Sequence, residues 1–211
     1  MEMRQTIGDK QLVQRGLRHL RKADATMGGI IKAVGGFKLK PSRDRYGMLV
    51  RSILSQQISV AAARTIRQRL VDQMPDGRLK ASHIAGMTVD TLRTIGISRQ
   101  KAGYLLDLSQ QVQLGAVNFR RIGQLEDEAV IEELVRVKGI GRWTAQMFLI
   151  FALGRPDVFA PDDLGLRAAI RKHYGFDQMP TNVQALEIAE CWSPFGSIAS
   201  WYLWRSLEIA W

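Results

Sequence analysis

The stretch that decides the fold is LVRVKGIGRWTA, residues 134–145. Apolar residues at helical spacing flank Gly139 and Gly141, which is the pattern of a helix, a glycine hairpin and a second helix. The glycines permit a tight turn. They also leave main-chain N–H groups bare at the start of the second helix, where a phosphate binds without sequence preference. An ordinary tight corner between two helices has the same pattern, so the surrounding residues have to distinguish the two interpretations.

Apolar residues recur at helical spacing along nearly the whole chain. After Gly47 this spacing predicts one long helix from Met48 to Leu70. Further helices are predicted at residues 10–34, 81–85, 88–95, 101–114, 126–137, 142–153, 161–175, 181–189 and 197–209. Residues 142–153 are apolar almost all round, which is typical of a buried helix. Strand-like alternation is confined to short stretches and no low-complexity linker is present. The chain, residues 1–211, is therefore predicted to form a single all-α module with two lobes.

The amino-acid composition indicates a globular protein and a negatively charged partner. With 46% hydrophobic and 24% charged residues, the 211-residue chain can form a globular core. The formal net charge of +10 favours a polyanionic partner, most simply nucleic acid, although a basic surface also serves solubility. The single cysteine, Cys191, excludes an internal disulfide, a Cys-rich zinc finger and a four-cysteine iron–sulfur cluster. No apolar run near the N-terminus is long enough for a signal peptide or a membrane span, so we expect a protein that works inside the cell and off the membrane.

A pair of carboxylates lies about twenty residues beyond the hairpin, in DVFAPDDLG, residues 157–165. One aspartate can cap the helix that begins here, but two exceed what one cap needs. We predict that Asp162 is the cap and that Asp163 is available for chemistry. A helix N-terminus favours negative charge. An ionised carboxylate beside a phosphate-binding hairpin can stabilise a cationic transition state or orient a water molecule.

Four motifs together resemble a known family. They are KGIGRWTA at 138–145, PDDLG at 161–165, ILSQQIS at 53–59, and WSPFGS at 192–197 continuing to YLW at 202–204. Taken in chain order, from 53–59 to 202–204, they resemble the helix–hairpin–helix (HhH-GPD) DNA glycosylase superfamily, and within it the AlkA/Mag-type 3-methyladenine glycosylases. The resemblance covers residues 14–207, with a motif-bearing core at 48–207 and the hairpin at 134–146. The resemblance implies a two-lobed helical fold with the active-site cleft between the lobes. It also implies Asp163 as the catalytic residue and damaged double-stranded DNA as the partner of a monomer.

The chemistry implied by this family fits the residues present. Breaking an N-glycosidic bond creates an oxocarbenium-like sugar, which a carboxylate stabilises. Alkylated purines already carry positive charge and leave without a strong general acid, so one essential carboxylate is enough. Bifunctional relatives use a lysine just after the hairpin glycines, where this chain has Trp143, and no lysine occurs between Lys138 and Lys172. We therefore expect hydrolysis that leaves an intact abasic strand, without strand cutting.

Several side chains are assigned to DNA contact by the resemblance. The phosphate-binding hairpin would consist of Lys138, Gly139, Ile140, Gly141 and Arg142. The pocket for the flipped base would be lined by Trp143, Trp204 and Met147, since aromatic rings favour a cationic base; core packing is an equal interpretation of Trp143. The residues that probe or plug the opened duplex would be Gln56 and Gln57, which are predicted to lie mid-helix, and Ser98 or Arg99 in a turn that resembles the family's wedge loop. A solvent-facing amide pair is the alternative interpretation of the two glutamines.

Three functions remain open at this point. The first is a monofunctional glycosylase for alkylated purines. The others are a glycosylase for deaminated, oxidised or mismatched bases and a non-catalytic DNA-binding module, which would not need a second aspartate. No metal-ligand set is visible, so no cofactor is expected, although hairpin carbonyls can hold a cation. We expect the protein to work at the nucleoid of a bacterium or in the nucleus of a eukaryote.

Overall fold

The computed structural model describes residues 5–209, and this part of the chain is helical with no β-strand. The α-helices of the described residues are α1 Lys10–Ala23, α2 Ala25–Val34, α3 Arg45–Ser55, α4 Val60–Asp72, α5 Ala81–Ala85, α6 Val89–Thr94, α7 Arg99–Gln113, α8 Asp127–Val135, α9 Arg142–Phe148, α10 Leu164–Tyr174, α11 Asn182–Ala189 and α12 Gly196–Ser206. A π-helical turn, Leu149–Leu153, directly continues α9. The predicted all-α class is confirmed. In the described residues, every helix is too short or too polar to cross a membrane.

The chain divides into two compact units. Unit 1 contains the described residues 5–41 and 149–209, with α1, α2 and α10 to α12. Unit 2 is Ser42–Phe148 and contains α3 to α9. Each unit has its own buried apolar side chains, such as Leu20, Trp192 and Tyr202 in unit 1 and Leu49 and Leu105 in unit 2.

The long helix predicted from Met48 to Leu70 is wrong, because a turn divides it into α3 and α4. Gln57 has a positive φ of 55°, which no α-helix contains. The Ser59 hydroxyl then accepts the backbone N–H of Ala62 at 3.2 Å and caps α4. This local side-chain bond competes with continued helix. Apolar residues keep helical spacing on both sides of the turn, so the sequence pattern does not reveal it.

The helix predicted over residues 10–34 is likewise two helices, and Asp24 marks the break. Its carboxylate accepts the N–H of Met27 at 3.0 Å, which caps α2. It also accepts the Tyr174 hydroxyl at 2.6 Å and Trp192 Nε1 at 2.8 Å. Burial and the hydrogen bond to Asp24 raise the pKa of Tyr174. Asp24 therefore joins α2 to α10 and to the segment before α12, which builds the frame of unit 1.

The other predicted helices agree with the structure to within a few residues. The region predicted as a buried helix at 142–153 is α9 and its π turn, and Thr144 to Ile150 are all buried. Gly175 ends α10 in the left-handed conformation, as its position after the apolar pattern indicated. These boundaries place the end of the hairpin at the start of α9 and the carboxylate pair at the start of α10.

Candidate functional site

Asp163 lies immediately before α10 in unit 1 and is 8% exposed. Its Oδ1 accepts the backbone N–H of Leu166 at 2.8 Å and the indole Nε1–H of Trp204 at 2.9 Å. These two bonds orient the carboxylate, and the helix N-terminus stabilises its negative charge. Asp163 is thus a buried, oriented anion, which is what stabilising a cationic sugar requires.

The prediction that Asp162 caps this helix is wrong, because Asp163 itself is the N-cap. Asp163 has extended backbone angles directly before the first helical residue, so its carboxylate reaches the third amide of the helix. Asp162 is one residue too early to do so. It is exposed, and its Oδ1 accepts a hydrogen bond from the side-chain amide of Asn182, at the start of α11. One residue can serve as both cap and candidate catalyst.

Trp204, on α12, is the second member of this arrangement. Its ring stacks on Phe151, with centroids 5.5 Å apart and planes inclined by 27°. The close contact between the Trp204 ring and the Asp163 carboxylate also depends on the missing side chain of Gly165. A Cβ there would lie 3.1 Å from Asp163 Oδ1 and 3.1 Å from Trp204 Cδ1, closer than usual packing allows. Trp204 was predicted as a pocket wall, which stays a prediction; the structure adds that its N–H positions the carboxylate.

The hairpin between α8 and α9 is held from several sides within unit 2. Gly139 has φ 81°, and a Cβ on it would lie 2.1 Å from Tyr104 Cδ2. Gln56 Nε2 donates to Gly139 O at 2.8 Å, and Asp107 Oδ2 accepts the N–H of Lys138 at 2.9 Å. Ile140 is buried beneath the turn. The corner is therefore a preformed surface.

The hairpin's two predicted cations differ in their surroundings. Lys138 and Arg142 are both exposed, as is Gly141. The guanidinium of Arg142 forms a two-pronged bridge to Glu128 on α8, with N–O distances of 2.6 and 2.7 Å. This pairing lowers the pKa of Glu128. Since Glu128 offsets the charge of Arg142, a phosphate has to compete with a carboxylate for this side chain.

Two more turns of unit 2 lie close together beside the hairpin. Gln57 is exposed at the tip of the α3–α4 turn, not mid-helix as predicted, and Gln56 reaches from that turn to the hairpin. Ser98 caps α7 through a bond from Lys101 N at 3.3 Å, and Arg99 follows it on the surface. A pocket of about 320 Å³ is lined by both turns. Gln56, Gln57 and Ser98 line this pocket and Arg99 follows Ser98, so the four predicted probing residues are neighbours. Their contact with an opened duplex stays a prediction.

The remaining two pocket predictions fall on α9. Trp143 is 42% exposed, so plain core packing does not describe it. Met147, one helical turn further, is 5% exposed and offers little surface to a base. Its role as a pocket wall stays a prediction.

A family model settles the relationship that the motifs indicated. The model of the HhH-GPD superfamily of base excision DNA repair proteins matches residues 50–194, which contain both the hairpin and the carboxylate pair. The chain belongs to this superfamily. DNA-3-methyladenine glycosylase 1 of Schizosaccharomyces pombe is 32% identical over 197 residues, which cover 91% of this chain and 86% of the relative.

HhH-GPD structures with the same fold include two at comparable identity. One is the S. pombe 3-methyladenine DNA glycosylase Mag1 in complex with abasic DNA, with a TM-score of 0.84 and 32% identity over 93% of this chain and 98% of that one. The other is a DNA-3-methyladenine glycosidase from Bacillus halodurans, with a TM-score of 0.83 and 29% identity over 90% and 88% of the two chains.

Sequence reasoning missed the HhH-GPD site's supporting residues. Tyr104, Asp107 and Glu128 hold the hairpin, and Gly165 makes room beside Asp163. Tyr104, Asp107 and Glu128 lie outside the four motifs, and Gly165 lies inside one, but the role of each depends on a contact that only the fold creates. The described residues contain no cluster of three or more His, Cys, Asp or Glu side chains that could hold a metal. Gly139 O already accepts Gln56, but a carbonyl has a second lone pair, so a hairpin-bound cation stays a prediction.

Proposed function

We propose that this HhH-GPD protein is a DNA glycosylase that hydrolyses the N-glycosidic bond of alkylated purines in duplex DNA. The observation that carries the proposal is the buried Asp163 carboxylate, held by Leu166 N–H and Trp204 Nε1–H. Capping α10 accounts for the bond from Leu166 N–H but not for the second bond, from Trp204 Nε1–H on α12, which a protein that only binds DNA does not need. The names of the relatives, which are 3-methyladenine glycosylases, support the same substrate class.

In the proposed reaction, the bond between the sugar C1′ and the purine nitrogen breaks and its electron pair goes to the base. An alkylated purine is cationic, so this electron pair neutralises it and no strong general acid is needed. The sugar is left with oxocarbenium character, which the Asp163 carboxylate stabilises. Water then adds to C1′ and loses a proton to solvent, which leaves an abasic strand.

The proposed roles of the aromatic residues concern recognition. A cationic base gains attraction from an electron-rich ring that a neutral base does not. Trp143 is 42% exposed on α9, and Trp204 is partly exposed on α12, so both have ring surface available. This supports a preference for positively charged lesions.

The proposed binding mode uses phosphates more than bases. Gly139 and Gly141 shape a corner at the start of α9 that is exposed beside Lys138 and Arg142. Such a corner grips the backbone in any sequence, which suits an enzyme that must find rare lesions anywhere. We propose that the protein acts on DNA as a monomer.

A panel of duplexes tests this function, each with one 7-methylguanine, 3-methyladenine, hypoxanthine, uracil or 8-oxoguanine. Single-turnover excision is expected on the methylated purines and faster there than on the neutral lesions. Excision confined to uracil, hypoxanthine or 8-oxoguanine would replace the alkylpurine assignment with a glycosylase for deaminated or oxidised bases. Tight binding with no excision on any duplex would leave a DNA-binding module.

A further inference from the structure

Unit 2 carries a second concentration of positive charge that the proposed site does not use. A pocket of about 640 Å³ is lined by five cationic side chains and one carboxylate: Arg43, Arg51, Arg67, Arg78, Lys80 and Asp44. Half-buried Val71 and Leu79 add apolar surface to its wall. We name this feature the arginine pocket.

The arginine pocket lies away from the hairpin and the two probing turns. Helices α3 and α4 are joined by the turn that carries Gln57. The pocket opens toward the other end of this helix pair and is lined by residues 43 and 44 before α3, by Arg51 on α3, by the second half of α4 and by the loop at 77–80. Because α3 has eleven residues, about 16 Å of helix separates the two ends.

Carboxylates balance only part of this charge. Both Asp44 oxygens are used, since Oδ1 accepts Gly47 N–H at 2.9 Å and Oδ2 pairs with Arg51 at 2.8 Å. Lys80 pairs with Asp76. Within residues 5–209, the guanidinium groups of Arg43, Arg67 and Arg78 make no hydrogen bond or ion pair, and all three are exposed.

Three unpaired guanidiniums around one pocket repel one another. An anionic ligand removes that repulsion. Guanidinium is the side-chain group best matched to phosphate, because its N–H donors bind two phosphate oxygens at once. The volume of the pocket and the spread of its cations suit several linked phosphates better than one.

We propose that the arginine pocket binds the phosphodiester backbone of DNA, away from the nucleotides that the hairpin and probing turns contact. The proposal rests on DNA as the partner, which the family provides, and not on excision of any base. The pocket would increase general affinity for undamaged DNA and so help the protein stay on DNA while it searches for a lesion.

The test compares two variants with equal loss of charge. The pocket variant is Arg67→Gln/Arg78→Gln, and the control is Arg18→Gln/Arg120→Gln, in which both arginines are exposed and lie outside the pocket. Fluorescence anisotropy measures binding to a long undamaged duplex over a range of salt. The logarithmic salt slope of the pocket variant is expected to fall by about two and its affinity by roughly tenfold or more at 0.1 M salt, because each phosphate contact contributes about 0.9 to the slope. The control should change much less.

Two further measurements show whether weaker binding comes from the lost charge and not from misfolding or a damaged active site. Thermal unfolding of both variants should match the wild type, and single-turnover excision at saturating protein should be unchanged. The proposal is overturned if the pocket variant binds like the wild type, or if the control loses as much affinity. Melting with inorganic tripolyphosphate identifies a different ligand. If tripolyphosphate raises the melting temperature of the wild type but not of the pocket variant, and both proteins bind DNA equally, the pocket binds free polyphosphate and the proposal is overturned.

Discussion

The two glycines of the hairpin are predicted to respond in opposite ways to the same substitution. Gly139→Ala places a Cβ 2.1 Å from Tyr104 Cδ2 at a residue with φ 81°. The left-handed backbone costs a non-glycine residue roughly 1–2 kcal/mol, and overpacking costs about 1–3 kcal/mol. The sum, roughly 2–5 kcal/mol, is a large part of the 5–15 kcal/mol by which a typical domain is stable.

Gly141→Ala tests the same hairpin without this strain. A Cβ at Gly141 meets no atom within 4 Å, and the residue has no positive φ. The substitution should leave stability unchanged or raise it by about 0.4–1 kcal/mol through the unfolded chain. It should nevertheless weaken DNA binding, because the added methyl group obstructs the approach of a phosphate to the backbone.

Urea unfolding and duplex binding separate the two effects. Gly139→Ala should lower the urea midpoint by roughly 1–2.5 M if each molar unit of urea lowers the free energy of unfolding by about 2 kcal/mol. Its destabilisation should be smaller in a Tyr104→Ala background, because only the backbone strain then remains. The reasoning fails if Gly139→Ala unfolds at the wild-type midpoint, or if Gly141→Ala binds DNA with unchanged affinity and salt dependence.

Three other predictions concern charge, orientation and reaction type. Glu128→Gln should strengthen duplex binding and steepen its salt dependence by less than one counterion, since it releases Arg142; weaker binding in an anisotropy titration would contradict this. Trp204→Phe keeps an aromatic ring but removes the N–H held by Asp163. Single-turnover excision should slow by roughly 10- to 150-fold, since a hydrogen bond to a charged group is worth about 1.5–3 kcal/mol, and an unchanged rate would show that the bond is not used. Borohydride should trap no covalent adduct with DNA, because no lysine follows the hairpin glycines before Lys172; an adduct would establish amine catalysis.

Local motifs predicted the parts of the site that lie within a few residues of each other. The hairpin at Gly139 and Gly141, the helix that Gly175 ends and the aspartate pair are all visible in sequence, because each depends on its chain neighbours. The choice between Asp162 and Asp163 as the cap turned on a single residue. A sequence pattern places the start of a helix only to within roughly two to four residues, so it cannot decide between two adjacent caps.

What the sequence could not predict depends on contacts between distant residues. Gln56 and Gly139 are 83 positions apart and meet only because the α3–α4 turn packs against the hairpin. The turn itself was hidden because apolar residues on both sides of Gln57 keep helical spacing. The bridge from Arg142 to Glu128 was equally invisible, and it changes the charge that the hairpin presents.

The central claim is that the Asp163 carboxylate supplies the charge that stabilises the departing sugar. The direct measurement is single-turnover release of 7-methylguanine by Asp163→Asn, with Asp162→Asn as the matched control. Asparagine also caps helices and its oxygen can still accept Trp204, so the fold and the binding of an abasic-site duplex should persist. Release by Asp163→Asn should fall by at least roughly 100-fold, while Asp162→Asn stays within a few-fold of the wild type. If Asp163→Asn retains wild-type release and Asp162→Asn is inactive, the catalytic assignment is wrong.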